Sequence, residues 1–254
     1  MPSKYFEIDG VATFVHHTGR TTLPGAPPLV ERGEAVLCLH GAGGNGHPFS
    51  ALMDGLEDGH TGIAFDQPGH GRSGGLDSLG DIDRMAAFTL DLVDALGLER
   101  VVLLGHDMGA AVALRCALDR PAAVRALVLC SAGDHFEIGD GTVEQMQRVR
   151  DGKERRPFDP SAFSKQASPD VMKRAFMEGL KTDPRATWGD LVACRAWDDR
   201  DRLAAISAPT LIVHGEDDYA WVAARALGHD ERLALVRREA GGMLVDARDG
   251  DLAG

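Results

Sequence analysis

The segment Leu103-Leu104-Gly105-His106-Asp107-Met108-Gly109-Ala110 sets a carboxylate between two glycines, where a strand-like run turns into an apolar helix-like run. Glycine tolerates the tight backbone such a junction needs, so the central side chain is expected to project at the carboxyl edge of a sheet. An aspartate is already anionic at neutral pH, and a helix start beside backbone N–H groups favours that charge further. Asp107 is therefore a candidate nucleophile or base that needs no partner to activate it. The plainer alternative is that it caps the helix.

Carboxylate attack on an ester carbonyl gives a reactive anhydride. Attack on a saturated carbon bearing halide or epoxide oxygen instead gives an alkyl ester. A carboxylate beside preorganised donors also suits deprotonation of a carbon acid with stabilisation of the enolate, the chemistry of a cofactor-free isomerase, lyase or cyclase.

The elements that must carry this residue follow from periodicity. Strand-like runs at 5–8 and 12–16 flank Asp9-Gly10, a hairpin signal. Strands at 35–39, 62–65, 101–104 and 126–129 then alternate with helices at 48–56, 82–96 and 108–118. Such alternation predicts an α/β fold with a mainly parallel sheet covered on both faces. Between 134 and 206 the strand signal vanishes and Pro157, Pro160, Pro169 and Pro184 break up a polar, helical stretch. This reads as a helical cap inserted into a core formed by 1–133 and 207–254. The alternation resumes with a strand at 210–213, a helix at 221–227 and a strand at 233–236.

These pieces resemble the α/β-hydrolase superfamily, in particular its small esterase-like members with an inserted cap, and the resemblance covers nearly the whole chain. His40-Gly41-Ala42-Gly43-Gly44 looks like the family's oxyanion-hole segment, and Asp66-Gln67-Pro68-Gly69-His70-Gly71-Arg72-Ser73 like its strand-four loop. The resemblance implies an α/β-hydrolase fold, with backbone N–H groups of Ala42 and Met108 as the oxyanion hole and Asp218, in Gly215-Glu216-Asp217-Asp218, as the catalytic acid. Asp134 is a second candidate acid, though an ordinary turn residue is its plainer reading. The family's usual serine is Asp107 here, and its Gly-His-Met pattern stands as Gly241-Gly242-Met243, so the customary base is missing. His135 and His229 are the best placed substitutes. His40, Gly41, His106, Trp188, Trp197 and the space left at Gly242 are the expected substrate-pocket positions, with core packing the default for the two tryptophans.

The family's dehalogenases and epoxide hydrolases carry an aspartate at this turn. This chain departs from them in Met108, where many dehalogenases place a tryptophan, and in having no cap tyrosine, since Tyr5 and Tyr219 lie elsewhere. The sequence therefore supports two readings equally, Asp107 as base or electrostatic anchor in a small-molecule enzyme and a silent relative that binds a ligand or partner, with hydrolysis at saturated carbon ranked behind them. Ordinary serine-esterase activity is not expected.

The totals narrow the partners. A net charge of −12 over 254 residues repels nucleic acid and anionic lipid, and no run of eighteen apolar residues exists, so neither nucleic-acid nor membrane binding is expected. The absence of a hydrophobic N-terminal core predicts a cytoplasmic protein. Cys38, Cys116, Cys130 and Cys194 are too scattered for a disulfide framework or a metal cluster, and no cofactor is expected. The partner is a small organic substrate. The short segment after the last strand would leave apolar sheet surface that a homodimer, or alternatively a loop, covers.

Overall fold

Alternation within single strands explains how the sheet acquires two coats. In β3 (Ala35–Leu39), Val36 and Cys38 join Met53, Ala64 and Leu104 in a small cluster, while Ala35, Leu37 and Leu39 belong to the main core. Successive residues of a strand face opposite sides. The first set is covered by α1 (Ser50–Leu56), and the second by α2 (Ile82–Ala95) and α3 (Met108–Asp119). Every residue of β3 is buried, as a strand in the middle of a doubly covered sheet must be.

The computed structural model describes residues 1–56, 59–164, 166–215, 233–238 and 244–246. Among these, nine strands form one sheet in the order β1-β2-β4-β3-β5-β6-β7-β8-β9. The hairpin of β1 (Ser3–Ile8) and β2 (Val11–His17) turns at Asp9-Gly10, both left-handed, and joins β4 (Thr61–Phe65) antiparallel. From β4 through β3, β5 (Val101–His106), β6 (Val124–Cys130), β7 (Thr210–Gly215) and β8 (Leu233–Arg238), every pairing is parallel. This is the α/β-hydrolase fold. β9 (Leu244–Asp246) runs antiparallel to β8, a strand outside the expected elements because three residues carry too little alternation to read.

Between β6 and β7 the described residues contain α4 (Asp140–Arg150), α5 (Pro169–Gly179) and α6 (Pro184–Ala196), with one isolated bridge, His135 to Asp198. Proline at the first turns of α5 and α6 follows serine and aspartate caps, Ser168 and Asp183, whose side chains accept N–H groups of Val171 and Arg185. The expected helix at 221–227, with Asp218, Tyr219, His229 and Gly242, lies outside the described residues.

Candidate active site

Parallel strands deliver their carboxyl ends to one edge, and there Asp107 occupies the turn between β5 and α3. Its backbone sits at φ 53° and ψ −120°, a conformation that only a fixed environment sustains in a non-glycine residue. Two hydrogen bonds fix it: Asp107 N–H donates to Cys130 O at 3.0 Å and Ala110 N–H donates to Asp107 O at 2.9 Å. The flanking glycines are required by contact. A Cβ at Gly105 would lie 2.3 Å from Gly109 O, and one at Gly109 would lie 2.1 Å from Leu39 O. The Asp107 side chain makes no helix-capping bond, so the capping alternative fails.

Its carboxylate turns instead to the loop after β3. Ala42 N–H donates to Asp107 Oδ2 at 3.0 Å, and Gly41 leaves the room, since a Cβ there would lie 2.8 Å from that oxygen. Three consecutive amides of this loop have three separate acceptors. Ala42 serves Asp107, Gly43 serves Asp190 Oδ2 at 2.7 Å, and Gly44 closes a turn on Gly41 O at 3.0 Å. Among the described residues Asp107 Oδ1 has no hydrogen-bond partner, and no histidine makes an ion pair with this carboxylate.

Asp190 is a residue that sequence reasoning missed. It projects from α6 and is fully buried, yet it accepts Gly43 N–H, His70 Nε2 at 2.8 Å and Ser78 Oγ at 2.5 Å. A buried carboxylate without such partners would be prohibitively costly. Burial, the largest single influence, would depress His70, but the Asp190 charge and hydrogen bond, the Pro68 carbonyl and the Asp66 charge together leave the imidazole pKa above its ordinary value. Reciprocally, burial favours the neutral acid of Asp190, and the His70 charge with the three donors overrides it, leaving that carboxyl below the usual range. On α6, Thr187, Asp190 and Cys194 follow at spacings of three and four and share one face. Burial, then the charges of Asp107 and Asp190, hold the Cys194 thiol well above its ordinary range.

The strand-four loop is tied down separately. Asp66 accepts Gly46 N–H at 2.7 Å and Arg72 N–H at 2.8 Å, while Ser73 Oγ donates to Asp66 O and accepts Phe14 N–H.

The other expected pocket residues divide. His106 is exposed beside Gly41. His40 is 3% exposed and both ring nitrogens serve the backbone, Nε2 accepting Gln67 N–H and Nδ1 facing Gly41 O, so it braces the loop and does not line an open pocket. Burial and the neighbouring His70 push its pKa down to about 4. Trp197 is likewise corrected to a core residue: it is buried against Phe136 and its indole N–H is taken by Asp199. Trp188 is half-buried under the Arg150 guanidinium, 4.1 Å from the ring centroid, and its Nε1 has no acceptor among the described residues. Asp134 pairs with His135 Nδ1 at 2.5 Å, a dyad in itself and not a bridge to Asp107. The described residues contain no set of three ligating side chains able to hold a metal, and no helix long and apolar enough to cross a membrane.

The fold and the elbow define a class, and comparison agrees: the chain matches the alpha/beta hydrolase fold family over residues 34–226 and belongs to it. It is similar to the magnesium-chelatase 30 kDa subunit of Rhodobacter capsulatus, 30% identical over 234 residues that cover 84% of this chain and 81% of that protein. It is also similar to the dihydrolipoyllysine-residue acetyltransferase component of the acetoin cleaving system of Cupriavidus necator, 29% identical over 202 residues, and there it spans only 54% of the relative's length. An esterase from Exiguobacterium antarcticum superposes with a TM-score of 0.76 at 25% identity, over 93% of this chain and 90% of the other.

Proposed function

We propose that the chain is a small-molecule enzyme of the α/β-hydrolase family that works through the Asp107 carboxylate as a nucleophile toward saturated carbon. The observation that carries this reading is the Ala42 N–H donated to Asp107 Oδ2 at 3.0 Å. One carboxylate oxygen is anchored and the other has no partner among the described residues, which is how a nucleophile is held ready. Oδ1 would attack the carbon, the carbon–halogen or epoxide carbon–oxygen bond would break, and its electrons would leave on halide or alkoxide. The hole is then already placed at the carbonyl of the new ester, where negative charge develops when water attacks. Gly242, at the position where the family resemblance implies a histidine, offers no base for that water. Hydrolysis by water without that base is slow, so the ester accumulates between turnovers.

Proton abstraction from a carbon acid, one of the two readings the sequence placed first, draws on the same Oδ1, which has no partner among the described residues. It ranks second because an enolate oxygen would find the Ala42 donor already engaged by Asp107 Oδ2.

The test is incubation with a short bromoalkane and with a terminal epoxide, followed by intact-mass measurement and peptide mapping. An alkyl adduct on Asp107 that disappears in Asp107→Asn is the expected result. Neither adduct nor turnover with either reagent overturns the proposal and leaves a carbon-acid enzyme or a ligand-binding relative.

A further inference from the structure

We propose that Asp190 is a positioning residue: from the helical segment between β6 and β7, its carboxylate holds the loop amide next to Ala42 and so fixes the donor that faces Asp107. This rests on Asp107 being the working group and names what keeps its hole in shape.

Gly43 is left-handed, at φ 64°, and its amide follows directly on Ala42. Glycine loses more conformational freedom than any other residue when fixed, so a loop of three glycines around one alanine does not hold its own shape. An external group must. Asp190 Oδ2 takes Gly43 N–H at 2.7 Å, and Thr187, one turn earlier on α6, packs where a Gly43 side chain would stand, its Oγ1 2.8 Å from that Cβ position. The carboxylate is itself immobilised from both sides, by His70 Nε2 on Oδ2 and by Ser78 Oγ on Oδ1. Thr182 Oγ1 adds a bond to Gly44 O at 3.0 Å. Two adjacent amides thus answer to two carboxylates, one at the elbow and one from a helix more than eighty residues later in the chain. Charge-assisted bonds of this kind are short and strongly directional.

The experiment is amide hydrogen exchange on the full chain, with alkylation of Asp107 by 1-bromobutane as a second readout. In Asp190→Asn, Gly43 and Ala42 exchange at least tenfold faster than in the parent while Leu103 in β5 is unchanged. The maximal alkylation rate falls at least tenfold and the half-saturating bromobutane concentration stays within a factor of two. Exchange at Gly43 that is unchanged, or that rises no more than at Leu103, overturns the proposal. So does faster exchange with an undiminished alkylation rate. If Asp190→Asn does not fold, Ser78→Ala frees one carboxylate oxygen only, and a two- to threefold rise at Gly43 alone is expected; no rise overturns the proposal. Should the parent chain form no adduct, the proposed nucleophilic function fails and the exchange result still decides the role of Asp190.

Discussion

His70 Nε2 lies 2.8 Å from Asp190 Oδ2, and neither side chain has exposed surface. The His40 ring stands 4.8 Å from that of His70, so two buried imidazoles share a small space beside two carboxylates, Asp190 and Asp66. Their pKa values are driven apart: Asp190 raises that of His70, while burial first and the neighbouring His70 second lower that of His40.

That division predicts how stability depends on pH. His40 is neutral when folded down to about pH 4, whereas unfolded it protonates near 6.5. Its contribution is complete above 6.5 and is lost as pH falls toward 4, by up to about 3 kcal/mol. His70 has the opposite sign: its raised pKa gives stability that is full below 6.5 and is lost as pH rises through the folded value. Urea unfolding across a pH series should therefore show a decline from 6.5 to 4 that is shallower in His40→Gln. His16 and His17, also depressed chiefly by burial, leave a residual slope. A His40→Gln slope as steep as the parent's would contradict the assignment.

The elbow makes a second prediction through its glycines. Gly109→Ala presses a methyl to 2.1 Å from the backbone oxygen of Leu39, and Gly105→Ala to 2.3 Å from that of Gly109, so strand and helix must separate. Each should cost about 3 kcal/mol or more in chemical denaturation. Gly41→Ala instead meets the Asp107 side chain, 2.8 Å from Oδ2. It should cost about 1 kcal/mol in stability and lower the alkylation rate of Asp107 at least tenfold. Equal stability losses at all three positions would show that the loop and the elbow are not separate in function.

The contrast between Asp107 and Asp190 shows what the sequence makes legible. Asp107 is marked by its neighbours, because two glycines at a strand-to-helix junction are needed whatever the rest of the chain does. Asp190 lies within an ordinary helix, and its partners Gly43, His70 and Ser78 stand 147, 120 and 112 residues away, so no local pattern announces it. The same limit applies to His40 and Trp197. Their residue types suit a pocket, but whether a ring nitrogen meets a ligand, a backbone carbonyl or Asp199 is decided by packing across the sheet edge. Strand order was legible only as far as alternation implies a parallel sheet; the antiparallel β9 depends on a pairing that three residues cannot signal.

Asp199 carries a third prediction. It is 5% exposed, accepts the Trp197 indole N–H at 2.9 Å and Arg202 Nη1 at 3.1 Å, and has Arg115 Nη1 at 3.7 Å. Asp199→Ala leaves a buried indole donor without an acceptor and should destabilise by about 2 kcal/mol. Trp197→Phe combined with it removes the orphaned donor as well, so the double variant should lose less than the sum of the two single changes. Strict additivity in denaturation curves would count against a direct bond.

The four cysteines supply the last prediction. Burial raises the Cys38 thiol pKa to about 12 and those of Cys116 and Cys194 further still, while Cys130, half-buried, is raised less. Thiolate, and access to it, controls alkylation. Native protein treated with iodoacetamide at pH 8 should therefore label at Cys130 first and at Cys194 only after denaturant is added. Cys194 lies on the α6 face that also carries Asp190, so in Asp190→Asn its labelling without denaturant should rise if α6 lifts away from the loop. Faster exchange at Gly43 with Cys194 still protected would mean instead that the loop moves while the helix stays docked. Early labelling of Cys194 in the parent chain would contradict its burial.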